Sequence, residues 1–241
     1  MVGKILEDYD SDKIFPVLGF GAREKDGNPS HKFHVNGHPR DPGCQEISGV
    51  LAAYRSCINK VELYGPTYFS PTIYHVARVA ANFLNGSQYH IILIITDGKI
   101  TDMEETKSAI VYAALLPISI IIVGVGEANF SGMEELDGDK VPVKDRKGRV
   151  SSRDIVQFIP MRKIVGISGQ NAEVTGTKLA KEVLAEIPDQ FLGYMKLNNI
   201  VPKTSATTCN DKSFNLPPDP ESVVKQHART TRTNWKHKLT N

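Results

Sequence analysis

The run "YHIILIITDGKITD", Tyr89 to Asp102, contains the strongest structural signal in the sequence. Its five consecutive aliphatic residues, Ile91 to Ile95, end abruptly at Thr96-Asp97-Gly98. An uninterrupted apolar run of this kind is typical of a strand that is buried on both faces. A carboxylate at the edge of a core costs free energy unless a helix terminus, a basic side chain or a metal ion pairs with it. Asp97 is therefore a candidate site residue at the end of a buried strand.

A second apolar run, "PISIIIVGVG" at residues 117–126, predicts another buried strand, and the pattern between the two runs predicts a helix over residues 103–115. Apolar strands that alternate with helices indicate an α/β fold. We expect a doubly wound, mostly parallel sheet with helices on both faces. Ligands of such sheets gather at the carboxyl ends of the strands, near the topological switch point, and Asp97 lies at such an end.

Weaker patterns predict the remaining elements. Strands are expected at residues 14–20 and 31–36, a strand or short connector at 153–161, and helices at residues 44–63, 73–84 and 176–195. In the helix at 44–63 the apolar residues recur at helical spacing, which predicts an amphipathic helix; they are Ile47, Val50, Leu51, Tyr54 and Ile58.

Composition limits the class of protein. A chain of 241 residues with 40% hydrophobic content can bury one substantial core, and we assign it to residues 1–195. Residues 196–241 are rich in Pro, Thr, Ser, Asn and Lys, so we expect a disordered polar and basic tail there. The net charge of +2 does not indicate a nucleic-acid partner. The three cysteines form no CxxC pair, which fits a reducing compartment.

Thr67 and Asp97 form the candidate metal site. A hard divalent cation such as Mg²⁺ prefers oxygen ligands and keeps several waters, and a loop threonine with a strand-end aspartate supplies such ligands. In the alternative interpretation, Asp97 caps the turn that follows it, as Asp-Gly pairs often do. The residues alone leave both interpretations open. Thr101, followed three residues later by Glu104, also predicts a helix-capping box.

Catalytic motifs are missing from the sequence. It contains no Gly-x-Ser-x-Gly, no phosphate-binding loop and no His-Glu-x-x-His, and its seven histidines form no convergent pattern. We therefore expect a protein that is not an enzyme.

Several motifs together resemble the carboxy-terminal von Willebrand factor A-type domain of the copine family, over roughly residues 5–195. They occur in the family's order and spacing: "FPVLGFGA", "LYGPTYFSP", "IITDGKITDM", "LPISIIIVGVG", "FSGMEELDGD", "RDIVQFIP" and "LAKEVLAEIPDQ". The resemblance implies a Rossmann-like fold and a cytoplasmic protein-interaction domain. In intact copines this domain follows two C2 domains that bind phospholipid when calcium rises, so recruitment to the plasma membrane is expected for the intact family.

The same resemblance implies a metal-ion-dependent adhesion site for Mg²⁺ or Mn²⁺. Its ligands come from an Asp-x-Ser/Thr-x-Ser motif after the first strand, a loop threonine and an aspartate that closes a later strand. Thr67 matches the loop threonine and Asp97 matches the aspartate. By this comparison Met1 falls within the first helix, so the first strand and three of five ligand positions are missing. We therefore expect weak or absent metal binding, and a gap in the sheet between residues 14–20 and 89–96. Calcium dependence would belong to the C2 domains.

Two alternative functions concern the carboxy-terminal region. Some plant copine-like proteins append a zinc-binding RING domain and act as ubiquitin ligases, but that needs paired CxxC motifs, and Cys209 is the one cysteine in the tail. The segment 225–241 has no acidic residue, so it is either a calcium-independent anchor on anionic membranes or a solvated terminus. The candidate membrane residues are Lys225, Arg229, Arg232, Trp235, Lys236 and Lys238.

Overall fold

The structure of the chain, a computed structural model, describes residues 2–23, 27–165 and 172–201. The predicted membrane residues between 225 and 238 and nearly all of the predicted tail lie outside these ranges. The helices are α1 (Val2–Glu7), α2 (Glu46–Ile58), α3 (Ser70–Ala80), α4 (Met103–Ala113), α5 (Ser131–Asp137), α6 (Met161–Val165), α7 (Ala172–Leu184) and α8 (Ile187–Leu197), with a 3₁₀ turn at Ala81–Phe83. The strands are β1 (Ile14–Pro16), β2 (Leu18–Gly19), β3 (Ala22–Arg23), β4 (Pro29–Ser30), β5 (Phe33–His34), β6 (Gly43–Gln45), β7 (Glu62–Leu63), β8 (His90–Thr96), β9 (Ile118–Gly124) and β10 (Val156–Pro160).

A parallel three-stranded sheet forms the centre of the molecule. Its strand order is β10-β9-β8, and Ile120 of β9 pairs with Ile92 on one side and Val156 on the other. All seven residues of β9 are buried. The two apolar runs in the sequence thus form neighbouring strands, as predicted.

Two apolar clusters cover opposite faces of this sheet. Ile120 and Ile122 belong to a cluster with residues of α3 and α4, whereas Ile121 and Val123 belong to a cluster with residues of α6 and α7. Since successive side chains of a strand point to opposite faces, the helices lie on both sides, as the sequence predicts. The strands follow one another in a single direction, however, so the described sheet does not show the reversal of order that defines a doubly wound sheet.

The predicted strand at 14–20 is interrupted and does not join the central sheet. β1 pairs with β6 and β2 pairs with β5, both antiparallel. The pairing partner changes at Val17, whose N–H donates to Pro42 while its carbonyl accepts from the N–H of Val35. These short strands enclose a small separate cluster that contains Phe33 and Val35.

Helix α2 is confirmed, but its apolar stripe is not buried. Leu51 is 50% exposed and Tyr54 is 56% exposed. The helix instead packs through Ala53 and Cys57, on an adjacent face, against the small cluster. The amphipathic pattern therefore predicted the helix correctly without predicting which face contacts the protein.

The single closing helix predicted over residues 176–195 is wrong. The structure has two helices, α7 and α8, with a break at residues 185–186. Pro188 explains the break, because proline has no N–H to donate inside a helix but is tolerated in the first turn. It lies in the first turn of α8.

The free edge of β10 is closed by two carboxylates. The N–H of Val156 donates to Asp154 Oδ1 (3.2 Å) and that of Phe158 donates to Asp137 Oδ1 (2.6 Å). The carbonyl of Ile155 accepts a hydrogen bond from Ile120 of β9. The backbone N–H groups of the alternate residues 156 and 158 therefore point away from β9. An edge strand whose N–H groups are occupied in this way cannot readily pair with another chain.

Asp137 carries an electrostatic cost for this role. Burial raises the pKa of its carboxyl to about 7, the Phe158 N–H opposes the rise, and Asp139, Glu186 and Asp154 add to it. An acid whose pKa is raised on folding stabilises the fold when protonated. That contribution is full below the ordinary pKa of 3.8 and is lost as the pH rises through about 7.

We therefore expect Asp137→Asn to unfold at higher urea concentration than the wild type at about pH 8, with the difference shrinking towards about pH 4. The amide oxygen can still accept the Phe158 N–H, while the charge is gone. Asp8→Asn, at an exposed position, is the control and should leave the pH profile unchanged. Equal or lower stability of Asp137→Asn at the higher pH contradicts this account.

Candidate functional site

The candidate site lies at the carboxyl end of β8. The strand ends at Thr96, which is buried and accepts a backbone hydrogen bond from Val125 (2.8 Å). Asp97 follows and is exposed. No hydrogen bond or ion pair reaches the Asp97 carboxylate from the part of the chain that the structure describes. Its oxygens are therefore available to a ligand.

Thr67 lies in the neighbouring loop, just before α3. Its carbonyl accepts a hydrogen bond from the N–H of Thr101 (2.9 Å), which ties this loop to the segment that follows Asp97. Its hydroxyl faces the turn after β2, where a Cβ on Gly21 would lie 3.7 Å from Thr67 Oγ1. Gly21 has φ +66°, a conformation that favours glycine. Three chain segments thus meet around Thr67.

Asp102 is the residue that holds these loops together, and sequence reasoning missed it. It is only 6% exposed, and its two carboxylate oxygens accept the N–H groups of Phe69 (3.1 Å) and Ser70 (2.9 Å). Ser70 is the first residue of α3, so the carboxylate lies at the positive end of that helix. The signal in the sequence was an aspartate directly before the apolar pattern of a helix. The buried carboxylate of this loop is thus paired with a helix terminus.

The capping box predicted from Thr101 and Glu104 is not formed. Helix α4 begins at Met103, and Asp102 occupies the position before it. Its side chain makes no capping bond to α4, because both oxygens are used by α3. One residue therefore serves two helices, through its carbonyl to Thr106 (2.8 Å) and through its carboxylate to the start of α3.

Aromatic contacts hold the Thr67 loop against the short strands. The ring of Tyr68 stacks on His31 with centroids 4.2 Å apart, and Phe69 meets Phe20 edge to face at 5.4 Å. Such pairs contribute about 0.5–1.5 kcal/mol beyond the buried area. They restrict the position of Thr67, which directly precedes Tyr68 in the chain.

The outer edge of β8 leads directly to Asp97 and has no partner strand. The N–H of His90 and the carbonyl of Thr96 form hydrogen bonds on the β9 side of the strand. The backbone N–H and C=O groups of the alternate residues Ile91, Leu93 and Ile95 therefore point away from β9. No strand pairs with them within residues 2–23, 27–165 and 172–201. The side chain of Ile95 is 55% exposed. β8 therefore has an open edge among the described residues, but residues 14–20, which we expected on the far side of a gap, pair with β5 and β6 instead.

Thr67 and Asp97 have the oxygen atoms that a hard divalent cation prefers, but two ligand residues are too few to hold it tightly. They offer one hydroxyl and one carboxylate, and Mg²⁺ bound by few protein groups keeps most of its water. In the described ranges, no group of three or more His, Cys, Asp or Glu side chains is placed to hold a metal ion.

Comparison with known protein families agrees with the motifs and this geometry. The family model described as Copine matches residues 1–203. The chain belongs to the copine family. This confirms the resemblance drawn from the sequence, and it supports a general role in protein interaction for the copine domain. None of the helices in the described ranges is long and apolar enough to cross a membrane.

The two aspartates of this loop should respond oppositely to substitution. Asp102→Ala leaves two N–H groups unpaired in a buried place and should destabilise the fold by about 2–4 kcal/mol. Asp97→Ala removes an exposed carboxylate and should change the free energy of unfolding by less than about 0.5 kcal/mol. Urea unfolding of both variants measures the difference. A neutral Asp102→Ala, or an equally harmful Asp97→Ala, is incompatible with the roles assigned here.

Proposed function

We propose that this copine-family chain is a protein-interaction module that contacts partners with the loops around Thr67 and Asp97. The observation that carries the proposal is the edge of β8, which is open among the described residues and ends at an aspartate that forms no hydrogen bond or ion pair with any of them. An unpaired strand edge presents a row of N–H and C=O groups that another segment can bind. The exposed Ile95 side chain adds apolar area next to that aspartate.

Metal would assist this contact in the complete site. Thr67 and Asp97 would hold Mg²⁺ or Mn²⁺ together with ligands from a strand ending in Asp-x-Ser/Thr-x-Ser. The ion would supply a positive charge for a carboxylate of the partner. Asp102 and the aromatic contacts position both residues without touching the ligand.

The remaining functions of the family are assigned to other segments. We infer that calcium-dependent phospholipid binding belongs to C2 domains and that this module has no catalytic activity. A cytoplasmic module that is recruited to the plasma membrane by such domains fits this division of roles.

The proposal is tested by comparing the proteins that the full chain captures from cytosol, measured quantitatively by mass spectrometry. Asp97→Ala should lose a set of partners, and Ile95→Lys should lose an overlapping set because a charge on an edge strand opposes pairing. Asp8→Ala, at an exposed position, is the control and should keep the set. If the wild type and all three variants capture the same partners, the site does not carry the interaction.

Metal binding by the isolated chain should be weak. Two protein oxygens leave a divalent ion mostly hydrated, so calorimetry with millimolar Mg²⁺ or Mn²⁺ should show little heat. A micromolar dissociation constant that disappears in Asp97→Ala contradicts this expectation, and it would mean that other residues of this chain complete the site.

A further inference from the structure

A cleft lies beside β10, which is the edge strand opposite to β8 in the central sheet. Its volume is about 530 Å³, and its walls come from β10, α6 and α7. Apolar wall is supplied by Ile159 and Ile164, which belong to the cluster on this face of the sheet. Clefts of about 300–1,000 Å³ commonly hold small ligands. The size therefore suits a small molecule.

Three lysines from two helices converge on the mouth of this cleft. Lys163 lies on α6, while Lys178 and Lys181 lie three residues apart on one face of α7. Among the described lining residues, Glu182 is the one acidic side chain beside the three lysines. Within the described residues, neither Lys163 nor Lys181 forms an ion pair. The mouth therefore favours an anion.

A buried amide gives the cleft a second polar requirement. Gln157 lines the cleft and is only 7% exposed, yet its Oε1 atom has no hydrogen-bond partner in the described structure. Buried polar groups are nearly always paired, and an exception calls for an explanation. The amide can turn about its last bond and offer either its oxygen or its NH₂ group. A ligand that carries hydroxyl groups satisfies it in either orientation.

We propose that this cleft binds a phosphate monoester of a small polyol. The phosphate lies between Lys163 and Lys181, since an ammonium group binds phosphate as a compact point charge. A hydroxyl of the polyol bonds to the Gln157 amide, and the carbon skeleton packs on the apolar wall. Glu182 limits the positive charge and can accept a hydrogen bond from a hydroxyl of the polyol. The site is separate from the proposed interaction surface at Asp97.

Calorimetry on the full chain tests the cleft, with glycerol 3-phosphate, myo-inositol 1-phosphate and inorganic phosphate as probes. Lys163→Gln and Lys181→Gln should each weaken binding of the esters at least about tenfold, because each removes a hydrogen bond to a charged group. Lys60→Gln, an exposed lysine at the end of α2, is the matched control and should bind normally. Gln157→Leu should weaken the esters while leaving inorganic phosphate within about twofold.

Absence of saturable ester binding overturns the proposal, as does equal weakening by Lys60→Gln. Because the two lysines are exposed, their substitution should not disturb folding, and circular dichroism checks this for every variant. The binding data for Gln157→Leu count only if its circular dichroism spectrum matches that of the wild type. If it does not, the two lysine variants decide whether the cleft binds the esters.

Sedimentation with vesicles distinguishes a free ester from a lipid headgroup. Phosphatidylcholine vesicles containing phosphatidylinositol phosphate should sediment the chain if the ester is lipid-borne, and Lys163→Gln should abolish this while the tail variant Lys236→Gln does not. Binding of the soluble esters without vesicle binding assigns the site to a free ligand. Vesicle binding that only Lys236→Gln reduces, with no soluble ester bound, places anion binding in the tail and overturns the cleft.

Discussion

The arrangement of the site depends on one buried carboxylate and the two N–H groups that it accepts. Asp102 joins the segment after β8 to the start of α3, and these two segments carry Asp97 and Thr67. The charge is tolerated in a buried place because the helix terminus supplies both hydrogen bonds and a favourable dipole. Without it, the backbone bond between Thr101 and Thr67 would be left to hold the loops. The geometry of the candidate site is thus a consequence of helix capping across two elements.

The two edges of the central sheet are treated differently. At β10, Asp137 and Asp154 occupy the outward N–H groups, which closes that edge to other strands. At β8 the corresponding groups of Ile91, Leu93 and Ile95 have no strand partner among the described residues. Among the described residues, one edge is therefore closed at an electrostatic cost, and the other is open and ends at the exposed Asp97.

Charge is also divided between the two sides of β10. Carboxylates gather around Asp137 and Asp154, and the pKa values of both are raised by burial first and also by the nearby charge of Asp139. Lysines gather at the cleft formed with α6 and α7. The near-neutral net charge of the chain therefore conceals local fields of opposite sign. Such fields act on ligands over short distances because salt screens them beyond about 8–10 Å.

Local patterns in the sequence determined the parts of the fold that depend on neighbouring residues. The apolar runs at 91–95 and 118–123 form strands of the central sheet, as their patterns predict, although β8 lies at its edge and exposes Ile95. The motifs also determined the family. Tertiary structure decided the roles of the two aspartates, because Asp102 lies across from the start of α3, whereas Asp97 has no partner among the described residues. It also decided which face of α2 is covered, that β8 has an open edge among the described residues, and that Gln157 and three lysines line one cleft, since each of these depends on the packing of separate segments.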